Sequence, residues 1–274
     1  MIGNGQGGLN EGVRMRKQQM AAMVLAGAMA VSLPCHASGA PQTGHYATQP
    51  GWGELVISFD GANRRFVLDS VADNGHACTL SGIVQTGSNV LSTTGSGPVC
   101  RLRLHAEGSG WLTEVLDAPA CQRHCGSRSR LAGVFVPLPE ACRWRAREQA
   151  RAAFRQQYDR RAFEQALGVL DQLQTRCGGF IDWLEADALA NDRAITEFRL
   201  GRPGQCLRTL AGTRAAGVVD IERLDTELQL GRLQHQAYLP VARATLYNRN
   251  KCRQALEQDQ GRLGSAGGRL YQEG

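Results

Sequence analysis

The sequence predicts an α+β protein, with a small antiparallel β sandwich or barrel followed by an array of α-helical hairpins. Three observations carry this. Up to Pro139 the chain is written in short, alternating apolar stretches separated by turn residues. From Cys142 onward Gly and Pro thin out, and Ala, Leu, Arg, Glu and Gln recur at helical spacing. Behind an export leader stand eight cysteines, an even number. The predicted organisation is a leader over residues 1–37, a β domain over 38–141, a helical domain over 142–257 and a flexible tail over 258–274.

The leader begins with a Gly-rich stretch, MIGNGQGGLNEGVR, without apolar period. Arg16 and Lys17 then form a basic region, residues 21–33 an apolar run of 13, and CHA at 35–37 a small-residue end before Ser38. That is the layout of a secretory signal peptide. A spanning helix needs roughly 20 apolar residues, so cleavage is expected and no transmembrane anchor remains. Pro34 before Cys35 makes a poor lipoprotein signal. Either Met1 or Met15 starts the chain, and Met15 suits the leader better. Gly3, Gly5 and Gly8 spell G-x-G-x-x-G, but the motif binds dinucleotides only between a strand and a helix. The expected location is periplasmic or secreted.

In the β half the strand signals are residues 54–59, 64–69, 77–84, 99–105, 111–116 and 130–136. Leu102 and Leu104 alternate with Arg101 and Arg103, which gives a sheet with one buried face. Asp60-Gly61 and Asn74-Gly75 mark tight turns, because these residues tolerate positive φ.

In the helical half three segments share a frame: YDRRAFEQAL (158–167), FRLGRPGQCL (198–207) and YNRNKCRQAL (247–256). In each, an aromatic residue closes one helix, a short turn follows, and a small residue lets the next helix lie close. These residues resemble a tetratricopeptide-repeat (TPR) solenoid over residues 142–257, with Phe163 and Ala166 matching the aromatic and alanine of its second helix. Plain helical hairpins are the alternative. After Leu256 the Gly-rich run EQDQGRLGSAGGRLYQEG suggests a disordered tail.

The eight cysteines behind the leader are Cys78, Cys100, Cys121, Cys125, Cys142, Cys177, Cys206 and Cys252. In an exported chain they read as four disulfides. The segment CQRHCGSR (121–128) does not fit haem attachment, which needs C-x-x-C-H. It also lacks the second ligand pair of a zinc site and the C-x-x-C of a redox site. A staple remains. Cys121–Cys125 closing locally is one reading; the other joins one of them to Cys78, Cys100 or Cys142. Helix ends suggest 142–177 and 206–252, which leaves 78–100 on strands expected to be neighbours.

The formal net charge is +6, from 31 Lys+Arg against 25 Asp+Glu, and the arginines are scattered. No concentrated basic patch marks a nucleic-acid surface, so no nucleic-acid partner is expected. From residue 142 onward 21 basic side chains face 16 acidic ones, a weak lean toward an acidic partner. The signatures G-x-S-x-G, H-E-x-x-H and G-x-x-x-x-G-K-[ST] do not occur behind the leader, so no catalytic, cofactor or metal residues are assigned. Glu185, Asp187 and Asp192 could face a cleft, although a solvated helix face with Asn191 at a packing point is the plainer reading. Trp144 and Trp183 read as core residues at helix starts, and His105 beside Arg103 as an exposed strand pair.

The whole chain also resembles a group of uncharacterised exported bacterial proteins that pair a Cys-rich β domain with a TPR-like helical domain. Cys121, Cys125, Gly126, Arg128, Asn191, Asp192, Leu200, Gly201, Cys206, Leu207, residues 239–242 and Cys252 carry that resemblance. The group's form reads C-G-A-R-A, whereas Ser127 and Ser129 stand here. The group has no activity to carry over. The expected function is a disulfide-stabilised, non-enzymatic binding or scaffold protein with a protein or cell-envelope partner. The alternatives are a lysozyme or peptidoglycan-hydrolase inhibitor, and a hydrolase.

Overall fold

A computed structural model of the chain describes residues 41–72 and 75–269, with side chains as far as Gln260. The expected leader, the two candidate starts, the glycine motif and Cys35 lie outside the described residues. The protein is α+β: a closed barrel of eight antiparallel strands, then helices. The strands are β1 (Gly44–Ala47), β2 (Gly53–Asp60), β3 (Asn63–Val71), β4 (Ala77–Val84), β5 (Val90–Thr93), β6 (Arg101–Glu107), β7 (Gly110–Val115) and β8 (Gly133–Pro137). They pair in chain order. Tyr46↔Pro137 and Ala47↔Val136 join β1 to β8 and close the sheet, which removes its edges.

Period-two alternation fills the barrel. In β4 every second residue from Cys78 is buried. Leu55, Leu68, Leu80, Leu91, Leu102, Leu104 and Phe135 are each at most 2% exposed. The Asp60-Gly61 turn forms as expected, with Asp60 paired to Asn63 and Gly61 at φ +60°. Two strands escape the sequence pattern. β1 and β5 have four residues each, too few for alternation to register.

A short helix, α1 (Ala118–Cys125), interrupts the strands. Asp117 caps it by accepting the Ala120 N–H, and a proline sits in its first turn. This helix decides the cysteine pairing. The bridges are Cys78–Cys125 and Cys100–Cys121, with Cα separations of 5.2 and 4.5 Å, so the expected pairs 78–100 and 121–125 are not formed. Two physical reasons account for this. β5 lies between β4 and β6. Two strand spacings of about 4.8 Å put Cys78 and Cys100 beyond a disulfide's reach of about 7 Å. Cys121 and Cys125 lie one turn apart on α1, both buried and both facing the barrel, so each reaches a strand cysteine instead.

The expected pairs Cys142–Cys177 and Cys206–Cys252 are present, at 5.3 and 6.2 Å between Cα atoms. Four bridges fit an oxidising, non-cytoplasmic compartment. No helix among the described residues is long and apolar enough to cross a membrane.

The helical half comprises α2 (Trp144–Asp159), α3 (Phe163–Cys177), α4 (Trp183–Arg199), α5 (Pro203–Ala211), α6 (Leu224–Leu228) and α7 (Arg232–Arg269). In the first two copies of the repeated frame the chain turns three residues after the aromatic, at Arg161 (φ 60°) and Gly201 (φ 71°). The third copy makes no turn. Its equivalent residue, Asn250, continues α7, and Tyr247 is 59% exposed. Two hairpins and one long helix therefore replace the expected three hairpins. α7 also continues to Arg269, past residue 258 where the composition predicts a flexible tail. Once a helix is nucleated, each added residue gains a hydrogen bond, and the packed part of α7 supplies the nucleus. Barrel and helices share a core: Ala47 and Leu138 are buried in one cluster with Cys142, Phe154, Leu170 and Ile181.

Candidate functional site

The barrel and the helices meet at two close backbone approaches, and both need glycine. A Cβ on Gly51 would lie 2.0 Å from the Phe180 carbonyl oxygen. One on Gly75, which has φ +78°, would lie 2.6 Å from Gln234 Cγ. Between these approaches the junction opens into two lobes on either side of Trp52.

The first lobe, about 270 Å³, is mainly apolar and carries two Trp–Arg stacks. The Arg130 guanidinium lies 4.3 Å over Trp52, and that of Arg214 lies 4.0 Å over Trp183. Both rings are braced. Trp52 packs edge-on to Phe135 at 5.7 Å and lies over Gly133, where a Cβ would meet its ring at 2.6 Å. Trp183, the first residue of α4, packs edge-on to Tyr238 at 4.9 Å. Arg214 has no ion-pair partner among the described residues.

The second lobe, about 290 Å³, is acidic and aromatic. Glu54, Asp69, Asp182 and Glu185 line it with Trp52, Trp144 and Phe180. Trp144 is 58% exposed at this lobe rather than in the core, so the core reading fails for it. The preceding Arg143 is extended and α2 starts at Trp144, before the helix's first buried residue, Phe154. Asp182 lines both lobes and is held by its role as the cap of α4, accepting the Leu184 and Glu185 N–H groups at 2.8 and 2.9 Å. Glu185 is only 7% exposed. Its Oε2 lies 3.3 Å from Arg147 Nε, an ion pair whose angle makes no hydrogen bond, and its Oε1 has no hydrogen-bond partner. Ser70 Oγ is likewise buried and unpartnered, on the barrel-interior face of β3 opposite Asp69.

The three acids of α4 do not converge on one cleft. At 100° per residue Asp187 lies about 200° around the helix from Glu185, while Asp192 returns to the same side. Asp187 belongs to a buried clamp between α4 and α7. Its carboxylate accepts the Tyr238 hydroxyl at 2.5 Å and the Arg214 N–H at 2.8 Å. Burial, then the bond to Asp187, pushes the Tyr238 hydroxyl well above the usual tyrosine range. Asn191 extends the clamp: it donates to Thr245 Oγ1 at 2.9 Å and accepts from Asn248 at 3.1 Å. Asn191 therefore sits at a packing point, as expected, but Glu185 and Asp187 are buried rather than solvated.

Asp192 is a cost to the fold. Burial raises its carboxyl above the ordinary value, against the pull of Arg151 and Arg155. A raised native pKa means that the folded state holds the proton more tightly. The stabilisation is thus complete below the unfolded pKa of about 4, and is lost as pH rises through the native pKa. Asp192→Asn is therefore expected to be more stable than wild type at pH 7 and equal to it near pH 3. Urea midpoints at both pH values check this.

Other features are surface chemistry. Arg103 and His105 on β6 both reach Glu114 on β7, at 3.8 and 2.7 Å, and the His105 hydrogen bond lowers the Glu114 carboxyl. A more open polar cleft of about 540 Å³ on α3–α5 is closed on itself by Arg193–Asp171, Arg193–Glu197 and Arg202–Glu164 pairs. Among the described residues no group of three His, Cys, Asp or Glu side chains could hold a metal ion.

Fold and site together define a class: a disulfide-bridged closed barrel fused to helical hairpins, with a two-lobed cleft at the seam. No family model, curated protein or solved structure matches the chain. The sequence raised Glu185 as able to face a cleft and read Trp183 as a core residue, and it did not single out Trp52 or Arg214. Trp52 carries the one available signal, a tryptophan between two glycines in PGWGE.

Proposed function

We propose that this chain is an exported, non-enzymatic binding protein of the cell envelope that grips a polypeptide partner in the junction cleft. The single observation that carries this is Arg214, stacked on Trp183 at 4.0 Å in a mainly apolar lobe and without an ion-pair partner among the described residues. A guanidinium stacked on an aromatic face and open to solvent is held ready to meet a partner's carboxylate. The four bridges among the eight cysteines after residue 40 support export, because small exported domains rely on such cross-links. A TPR-like character for the helical half belongs to the same proposal. Its support is that α3 and α5 begin at Phe163 and Pro203, 40 residues apart, with the small residues Ala166 and Cys206 fully buried at matching places.

The test is capture from an envelope extract by the immobilised mature chain, wild type against Arg214→Glu. Wild type is expected to recover one polypeptide through a high-salt wash, and the variant to lose it. Equal recovery by both would move the site away from the cleft, and no recovery under any condition would overturn the binding reading. Inhibition of a lysozyme, or turnover of an envelope substrate, would put one of the alternatives in its place.

A further inference from the structure

We propose that the acidic lobe is a recognition site for a primary ammonium, presented as a lysine side chain by the polypeptide partner. This deepens the reading above and rests on the junction cleft being the docking place. Three independent features point to a cation of this kind. The first is charge: four carboxylates line the lobe against one guanidinium, that of Arg147. The second is unmet hydrogen-bonding capacity. Glu185 lines the lobe, and its Oε1 is buried and without a hydrogen-bond partner. A carboxylate oxygen without a donor is costly to bury, and an incoming N–H removes that cost. The third is aromatic surface: Trp52, Trp144 and Phe180 line the same space, and ring faces attract cations.

These features also select among cations. Carboxylates at metal-ligand spacing would favour a bare ion, but no group of three converges among the described residues. An ammonium carries three donors and no acceptor, which matches the unpartnered Glu185 oxygen plus wall carboxylates such as Asp69. Its alkyl stem suits the aromatic rim. A neutral sugar would satisfy Glu185 Oε1 yet leave the lobe's negative charge uncompensated. At about 290 Å³ the lobe holds a side-chain head rather than a whole ligand. A partner that offers a lysine here and a carboxylate at Arg214 would engage both lobes across Trp52.

The experiment is calorimetric titration of the mature chain with N-acetyl-lysine methylamide, whose only charge is the ammonium. The same peptide acetylated on its side chain, N-acetylglucosamine and calcium chloride are the comparisons. Saturable binding of the lysine probe is expected, with none of the acetylated probe. Glu185→Gln and Asp69→Asn, which each keep the side chain's shape, are each expected to weaken binding by about tenfold or more. Arg214→Glu is expected to leave probe binding unchanged while it abolishes partner capture, so the two readings fail separately. Equal binding of the acetylated probe, binding of sugar or calcium alone, or full binding by both folded variants would each overturn the inference.

Discussion

Replacing Gly51 by alanine is expected to prise the barrel from the helices. A Cβ there meets the Phe180 carbonyl oxygen at 2.0 Å and its carbon at 2.7 Å, and these are backbone atoms that cannot rotate away. The loop carrying Gly51 and Trp52, or the segment Gly178–Phe180, must shift. Overpacking of this kind costs about 1–3 kcal/mol and sometimes more. In a domain of this size that lowers the melting temperature by roughly 2–12 °C. The displacement also moves Trp52, which both lobes share, so Arg214-dependent capture should fall with stability. Gly217→Ala is the control, because nothing lies within 4 Å of its Cβ and its φ is not positive. If Gly51→Ala melts and binds like wild type, the close approach does not hold the cleft together.

Reduction of the bridges is expected to have the larger effect. Closing loops with sequence separations of 47, 21, 35 and 46 residues stabilises a chain by roughly 3–4 kcal/mol each on the chain-entropy model. Domains are stable by only about 5–15 kcal/mol in total, so a chain without its four bridges should unfold at ambient temperature. Circular dichroism with and without reductant in the absence of denaturant checks this. Thiol titration of the oxidised, mature chain under denaturing conditions should find no free thiol. Non-reducing peptide mapping should link Cys78 to Cys125 and Cys100 to Cys121. A fragment closed by Cys121–Cys125 would overturn the pairing on which α1 depends, and several free thiols would overturn the cross-linked fold itself.

The cysteines show where sequence reasoning stops. Cys142–Cys177 and Cys206–Cys252 were legible because their placement follows from helix ends and hairpins, which local periodicity marks. The two barrel bridges were not, because they depend on a four-residue strand, Val90–Thr93, and an eight-residue helix, Ala118–Cys125. Neither segment is long enough to show its period. The third repeat misled in the opposite way. It keeps the aromatic and the Gln-Ala-Leu of the frame, but Asn250 replaces the turn residue, and composition does not reveal whether a helix will continue through such a position.

Patterns confined to one segment thus assigned this protein its two kinds of secondary structure and its inventory of bridging cysteines. Each of those depends on side chains a few residues apart, and their spacing is the sequence. Barrel closure, the pairing of Cys78 and Cys100, and the cleft around Trp52 were decided only on folding. They join residues as distant as Gly51 and Phe180, and the distance between such residues depends on every turn and contact between them. The acidic lobe is the clearest instance: Asp69 comes from β3 and Glu185 from α4, and their carboxylates line one lobe only because the barrel docks on the helices.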